Sequence, residues 1–319
     1  MKILMLTIML LLSGYRPMFA YSTPGHQAIA KAAFKMLEGT PTAEKVRSIL
    51  GGEQETYAAV WLDKVRENAL TTAAEKAEAK KFQQAFKLNS EWHFTNFTVG
   101  STEYSSESKF AKTDDVVHAL KNAILVLEGA SSPMTKRQAL RTVIHLVGDI
   151  HQPLHCITGY YDLSDLARPK LLTDVADPAN TPEDRGGNQL YYTKSEELHA
   201  LWDLGLPNMV SPDVDQLAII IGSGGIESEP ATSGDYHAWP EQWASDSMTQ
   251  ANAAYQGISF DKAAYVPDPR KPGKTKLVIS ITLPNGTTDY EKNQKALAQA
   301  QLHKAAIHLA QLLAAIKYQ

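Results

Sequence analysis

Residues 145–155 contain three histidines, an aspartate and a proline, and most of the other positions in this stretch are apolar. On an α-helix, residues four apart lie on one face, so His145 and Asp149 are expected to point toward the same place. Pro153 would bend or end that helix and so change the direction of His155. Imidazole nitrogens and carboxylate oxygens suit zinc, and a carboxylate between two such histidines can bridge two ions.

A purely structural interpretation of these residues is weaker. A buried helix can hold one histidine whose ring is satisfied inside the core. Burying His145, Asp149 and His155 together without a metal or charged partners would cost much more free energy. His151 falls on the far side of the helix from Asp149, so we expect it to support a ligand indirectly or to face solvent.

A second histidine–aspartate pair lies within residues 195–205. Ser195 is the predicted N-cap of a helix that ends at Gly205, because serine is a preferred cap and glycine often follows the last turn. His199 and Asp203 are four residues apart on this helix. Alone, the pair fits a stabilising surface contact as well as a metal site. Beside the first cluster, it predicts the other half of a metal site.

The first 20 residues have the pattern of a secretory signal peptide, with a basic residue, an apolar run and a small residue before the predicted cleavage point. Cleavage after Ala20 would make Tyr21 the amino terminus, and a deprotonated α-amine can bind a metal. Thr23 is expected to begin a helix that carries His26 in its first turn. We therefore expect a secreted or periplasmic protein whose processing completes the metal site.

Composition limits how the protein can bind its ligands. The 319 residues carry a net charge of −4. A net-negative protein does not bind polyanions through its bulk charge, so phosphate affinity would come from metal ions and a few residues such as Arg66. This argues against a sequence-reading DNA-binding module. The single cysteine, Cys156, forms no intramolecular disulfide and is expected to be a small buried residue or, as an alternative, a reactive thiol.

Apolar periodicity predicts an all-α fold, as one mostly helical domain over residues 21–319 with a short β-hairpin and long loops. Helices are predicted over residues 113–129, 241–257 and 294–317. Residues 276–283 alternate like a strand and lead into a turn, and residues 222–240 and 264–275 are predicted surface loops. Three further histidines are assigned to structural or solvated positions rather than to the metal site: His118, His303 and His308.

Six motifs follow one another along most of the chain: Tyr21 to His26, Trp61 to Arg66, Trp92 to Asn96, His145 to His155, Asp184 to Asn188, and Leu198 to Asp203. In order and approximate spacing they resemble the trinuclear-zinc, single-strand-specific nucleases of fungi, plants and bacteria. Bacterial zinc phospholipase C is similar at a greater distance.

The resemblance implies three zinc ions. It assigns Asp63, His93, His145 and Asp149 to one ion; the amine and carbonyl of Tyr21, His26 and Asp149 to a second; and His155, His199 and Asp203 to a third. The two ions that share Asp149 would lower the pKa of a water between them.

The resemblance also implies hydrolysis of single-stranded DNA and RNA to 5′-nucleotides, with 3′-nucleotides as further substrates. Asp63 would orient the attacking water, and Arg66 would neutralise charge on the phosphate. Phe94 resembles the family's base-stacking residue. Asn96 stands where fungal relatives have aspartate, which predicts a broader or different base preference. Asn188 of the Gly-Gly-Asn motif is a further substrate-binding candidate.

Two other classes of protein fit these residues less well. A zinc-dependent phospholipase C would share the zinc ligands, but that branch tends to have glutamate where this chain has Asp203 and needs no aromatic stacker. A non-catalytic zinc protein is disfavoured because structural zinc sites usually close with cysteines.

Residues 156–183 form a longer spacer than most relatives have, and we interpret this spacer as an inert loop or a lid. We expect a monomer without a stable membrane anchor.

Overall fold

The computed structural model describes residues 22–269 and 271–319; the predicted signal peptide and Tyr21 lie outside them. The helices are α1 (Thr23–Met36), α2 (Pro41–Leu50), α3 (Glu55–Ala58), α4 (Trp61–Arg66), α5 (Ala73–Ala85), α6 (Val116–Leu127), α7 (Lys136–His151), α8 (Leu198–Ala200), α9 (Leu206–Val210), α10 (Val214–Ile221), α11 (Trp239–Tyr255) and α12 (Thr287–Ala315). The strands are β1 (Phe97–Thr98), β2 (Ile157–Thr158), β3 (Tyr161–Asp162), β4 (Lys170–Leu171), β5 (Leu190–Tyr191), β6 (Ser259–Pro267) and β7 (Thr275–Thr282). The prediction of one mostly helical domain is confirmed.

Helix α7 is the central element of the core. It starts with a capping box, in which the Thr135 side chain accepts from the backbone of Gln138 while the Gln138 side chain returns to the backbone of Thr135. Every residue from Gln138 to His151 is buried, against α1, α2, α6, α11 and α12. The helix ends before Pro153, which opens a 3-10 turn over Pro153–His155, as the proline rule predicts. The buried helix therefore gives the residues on it a rigid support.

The helix predicted over residues 195–205 has different ends. It begins at Leu198, continues through a π-helical turn over Leu201–Gly205 and runs to Val210. Gly205 has a φ of −60° and continues the helix instead of ending it. Pro207 is tolerated because the carbonyl of Asp203, four residues earlier, accepts from the N–H of Ser22 at 2.8 Å and does not need an N–H from residue 207. Cap and stop residues alone therefore placed both ends of this helix wrongly.

The strands form small sheets at the edge of the helical core. β5, β7 and β6 make one sheet in the order β5-β7-β6, in which β6 and β7 are an antiparallel hairpin. The predicted strand at residues 276–283 is β7, but its partner β6 was missed and occupies the start of the predicted loop 264–275. Most side chains of β6 are exposed, so it lacks the alternation that identifies a half-buried strand. Among the described residues, no helix has the length and apolar character needed to cross a bilayer.

Candidate metal centre

Three groups of histidines and aspartates lie close enough together to hold metal ions. Within each group the ligand atoms are within 4.8 Å of one another. The groups are His26, His145 and Asp149; Asp63, His93 and His145; and His155, His199 and Asp203. Every predicted ligand in the described part of the chain belongs to one of them, whereas Tyr21 lies outside that part.

Asp149 lies between two of the groups and close to the third. Its Oδ2 is 2.9 Å from His93 Nδ1 and 3.1 Å from His145 Nε2. Its Oδ1 is 3.3 Å from His26 Nε2 and 3.4 Å from His155 Nδ1. These contacts bring ligands from α1, α7 and the turns after residues 91 and 152 to one carboxylate. The geometry is the one expected of a bridging ligand.

Gly148 explains how His26 on α1 can reach Asp149 on α7. A methyl group at Gly148 would lie 2.7 Å from Nδ1 of His26, too close for a real contact. The His26 ring instead stacks on His145, with centroids 4.0 Å apart. Glycine inside a helix costs about 1 kcal/mol relative to alanine. The absence of a side chain at Gly148, which carries this cost, leaves room for the close approach of α1 and α7.

Backbone carbonyls determine which ring nitrogen of three histidines faces the centre. Nδ1 of His145 donates to Ala59 O at 2.6 Å, and Nδ1 of His199 donates to Gly186 O at 2.6 Å. Nδ1 of His155 lies 2.9 Å from the carbonyl of His93. A carbonyl only accepts, so in the neutral ring Nε2 carries the lone pair.

The lone pairs of two of these rings face carboxylates. Nε2 of His199 is 3.1 Å from Asp203 Oδ2, and Nε2 of His145 is 3.1 Å from Asp149 Oδ2. Two acceptors at this separation require a cation between them, either a proton on the ring or a metal ion. In the described part of the chain, Oδ2 of the buried Asp63 has no hydrogen-bond partner. The donor set of imidazole and carboxylate therefore fits zinc.

Electrostatics in the centre favour a cation. Burial by itself would lower the pKa of His145, but the negative charges of Asp149 and Asp63 raise it to about 9. Burial would raise the pKa of Asp203, but His199 and His155 lower it to about 2. The carboxylates are thus ionised at neutral pH and attract positive charge, which a metal ion supplies without protonating the ligands.

The centre opens into a cleft of about 690 Å³. All four residues predicted to act on or bind the substrate beyond the metal ligands line this cleft: Arg66, Phe94, Asn96 and Asn188. Nη2 of Arg66 is 2.8 Å from Asp63 Oδ1, as their spacing on one helical turn predicts. A substrate in the cleft can therefore reach the arginine, the aromatic ring and the ligands together.

Other cleft residues were missed by the sequence analysis: Glu183, Arg185, Lys271 and Lys276. Glu183 comes from the end of the long spacer, where an N–H of Asn96 donates to its Oε2 at 3.1 Å. The sequence feature that could have identified Glu183 as a cleft residue is its position next to Asp184, the first residue of the fifth motif. The lysines reach the cleft from the β6–β7 loop and from β7, which no local pattern predicts.

The motif that contains Asp184 supports the His155 group of ligands. Asp184 is fully buried and accepts hydrogen bonds from Thr158, Tyr161 and Tyr255 and from the backbone of Gly187. This holds Gly186 in place, whose carbonyl accepts from His199. Gly186 has a φ of +61°, and a Cβ there would lie 2.2 Å from the carbonyl oxygen of Leu154. Glycine is therefore required at this position.

The assignment of His308 to a solvated face was wrong, and so was the solvent-facing alternative for His151. His151 and His308 are both buried, with Nε2 of His151 2.7 Å from Nδ1 of His308. His308 also stacks on Trp243, so it belongs to the core and not to a solvated face. His151 lies in this core contact and does not face solvent, whereas its indirect support of a metal ligand stays a prediction. His118 is structural, as predicted, and lies 3.0 Å from the Asp115 carboxylate.

Cys156 is buried in the core. Its Sγ donates to the carbonyl oxygen of Ile150 at 3.5 Å, and burial raises the pKa of the thiol. A thiol with a raised pKa carries little thiolate at neutral pH and is a weak nucleophile. The structural interpretation of Cys156 is therefore favoured over the reactive one.

Comparisons with known proteins agree with this geometry. A family model described as S1/P1 Nuclease matches residues 21–317. Nuclease S1 of Aspergillus oryzae is 20% identical over 233 residues, which make up 70% of this chain and 67% of the fungal protein. The chain therefore belongs to the S1/P1 nuclease family, whose chemistry is the metal-dependent hydrolysis of phosphodiester bonds.

Proposed function

We propose that the protein is a zinc-dependent endonuclease that cleaves single-stranded DNA and RNA to 5′-nucleotides and also acts on 3′-nucleotides. The observation that supports this most strongly is that Nε2 of two histidines lies 3.1 Å from the oxygen of an ionised aspartate. These pairs are His145 with Asp149 and His199 with Asp203. The test is a parallel assay of the purified protein on single-stranded DNA, RNA, 3′-nucleotides and phosphatidylcholine. Cleavage of phosphatidylcholine with no action on nucleic acid would replace the proposal with the phospholipase alternative, which the family match does not favour.

Three zinc ions are proposed, each with its own group of ligands: Asp63, His93, His145 and Asp149; Tyr21, His26 and Asp149; and His155, His199 and Asp203. When bound, zinc supplies Lewis acidity to the phosphoryl oxygens and lowers the pKa of water toward neutrality. The N-terminal pattern supports secretion or a periplasmic location, with residues 1–20 removed and Tyr21 exposed as the amino terminus.

The protein side chains place the reacting groups. Burial raises the pKa of Asp63, but Arg66 and nearby histidines lower it below its ordinary value, so the carboxylate is ionised and can orient the attacking water. Arg66 contacts Asp63 and lines the cleft, where its positive charge can neutralise charge that grows on the phosphate. Asn188 is proposed to bind the substrate from the same cleft.

The zinc content should respond to substitution of single ligands. Wild-type protein purified without chelator should contain three zinc ions per chain, and His199→Ala should lose about one. The reason is that His199 is one of only three ligands in its group, so the variant leaves two to hold the ion. Elemental analysis on folded protein measures this. His118→Ala, which removes a histidine bonded to Asp115 instead, is the control and should keep all three. A wild-type content of one zinc or none would contradict the proposal.

Substitution of Phe94 should separate base binding from hydrolysis. Phe94→Ala should weaken kcat/KM on single-stranded nucleic acid by about 1–3 kcal/mol, the usual range for a base stacked on an aromatic ring. Hydrolysis of a small phosphodiester without a base should change little. Tyr265→Ala, at an aromatic side chain that is 55% exposed, is the matched control. Equal losses on both substrates would mean that Phe94 only positions His93.

A further inference from the structure

Two polar side chains that line the same cleft as Phe94 are hydrogen-bonded to each other. Asn96 is two residues from Phe94, and Glu183 comes from the end of the long spacer. All three residues line the cleft and are partly exposed. A base stacked on Phe94 would thus have a carboxylate and an amide near its edge. The arrangement of hydrogen-bond donors and acceptors in this region decides which base fits.

The contact between Asn96 and Glu183 orients the amide. Nδ2 of Asn96 donates to Oε2 of Glu183 at 3.1 Å. The carbonyl Oδ1 of Asn96 therefore points away from that carboxylate. An ionised carboxylate only accepts hydrogen bonds, and its second oxygen, Oε1, has lone pairs of its own. The Asn96–Glu183 pair consequently offers mainly acceptors to a base.

Glu183 is held in position from both sides. It forms an antiparallel bridge with Tyr160, and the hydroxyl of Tyr160 donates to the carbonyl of Asn96 at 3.2 Å. The next residue, Asp184, is anchored in the core by Tyr161 and Tyr255. The end of the spacer is thus joined both to the segment that carries Asn96 and to the core. A group fixed in this way can discriminate between ligands without first being ordered.

We propose that Glu183 makes the base site beside Phe94 selective for guanine; this inference rests on the proposed nuclease function. Guanine is the base whose Watson–Crick edge presents two adjacent donors, N1–H and the 2-amino group. A carboxylate can accept from both. Adenine and cytosine place a ring acceptor next to their amino group, which would face the negative carboxylate. Uracil and thymine have one donor between two carbonyl acceptors.

The test uses single-stranded oligothymidylates that carry one different base at a fixed position. Cleavage at the bonds next to that base is followed by mass spectrometry, and kcat/KM is compared between bases. Guanine should be preferred over adenine by about tenfold, within the range that one bidentate base contact gives. Hypoxanthine, which lacks the 2-amino group, should lose part of the preference. 7-Deazaguanine, which keeps both donors, should retain it.

The variant Glu183→Gln tests the residue itself. Glutamine has nearly the same shape but has one carbonyl oxygen and no charge, so the guanine-to-adenine ratio should fall below about twofold. Glu91→Gln is the matched control, because Glu91 also lines the cleft but lies 3.4 Å from Lys112. It should keep the wild-type ratio. The base-analogue series uses wild-type protein and remains informative if the Glu183 variant does not fold.

The outcomes separate this inference from the proposed function. If wild-type protein cleaves next to all bases with ratios below about twofold, or if Glu183→Gln leaves the guanine preference unchanged, the inference is overturned and the nuclease function stands. If no single-stranded oligonucleotide is cleaved, the proposed function fails and the inference fails with it. A guanine preference that is lost in Glu183→Gln and kept in Glu91→Gln supports both.

Discussion

Asp149→Asn is expected to lower kcat/KM on single-stranded DNA by more than about 1,000-fold, beyond the roughly 10- to 100-fold loss that removal of an outer-shell partner causes. The carboxylate contacts His93 and His145 through one oxygen and His26 and His155 through the other. An amide has no negative charge and only one strong ligand oxygen, so it cannot serve two ions. Steady-state kinetics with zinc analysis of the same sample measures the effect.

The control for this substitution is Asp115→Asn. Asp115 is also buried, but it caps α6 and lies beside His118, and asparagine is a good cap. Its variant should keep near wild-type activity, as should His303→Ala. His308→Ala is a poor control because this ring packs on Trp243 in the core. Equal losses in Asp149→Asn and Asp115→Asn would show that the reaction takes place elsewhere.

Removal of metal by a chelator is expected to lower the melting temperature by about 10 °C or more. Ligand binding to the folded state at about 1,000 times Kd adds about 4 kcal/mol per site, and each kcal/mol shifts the midpoint by a few degrees in a domain of this size. The same treatment should abolish activity. Scanning calorimetry with and without chelator, followed by readdition of zinc, measures both effects. A chelator-treated sample that is free of zinc but melts like the untreated protein would contradict the prediction.

The effect of the chelator should grow as the pH rises. In the metal-free protein, the pKa of His145 is raised from 6.5 to about 9, because Asp149 and Asp63 outweigh burial. A raised pKa contributes stability that is fully present below about 6.5 and is lost as the pH rises through about 9. Bound zinc would supply the positive charge in place of that proton, and its stabilising effect would persist at high pH. The difference in melting temperature should therefore be larger at pH 9 than at pH 6.5.

The sequence was most informative where a few neighbouring residues decide the outcome. His145 and Asp149 could be placed on one face because helical spacing is local, and Pro153 had only one plausible effect on the chain. The π turn around Asp203 was not predictable, since it depends on a one-residue slip of the backbone hydrogen bonds within the folded chain. Glu183 reaches the cleft through contacts across 87 residues of sequence.

Long-range packing also explains the error at His308. Helix α12 is buried along much of its length on more than one side, so spacing alone does not identify a solvated face. Its contact with His151 joins residues that are 157 positions apart. The exposed strand β6 was missed for the opposite reason, because few of its side chains are buried. Local sequence patterns identify amphipathic elements best. They are less informative for elements that are buried on several sides and for elements that are almost fully exposed.

The contacts around Asp149 also affect the topology of the chain. They connect residues 26, 93, 145 and 155, while the neighbouring ligands extend to residue 203. Bound metal would therefore act as a reversible cross-link that closes long loops, in a chain whose single cysteine leaves it without an internal disulfide. Closing such loops lowers the entropy of the unfolded ensemble. Resistance to proteases would then depend on the supply of metal, in the way that disulfide-bonded proteins depend on oxidation.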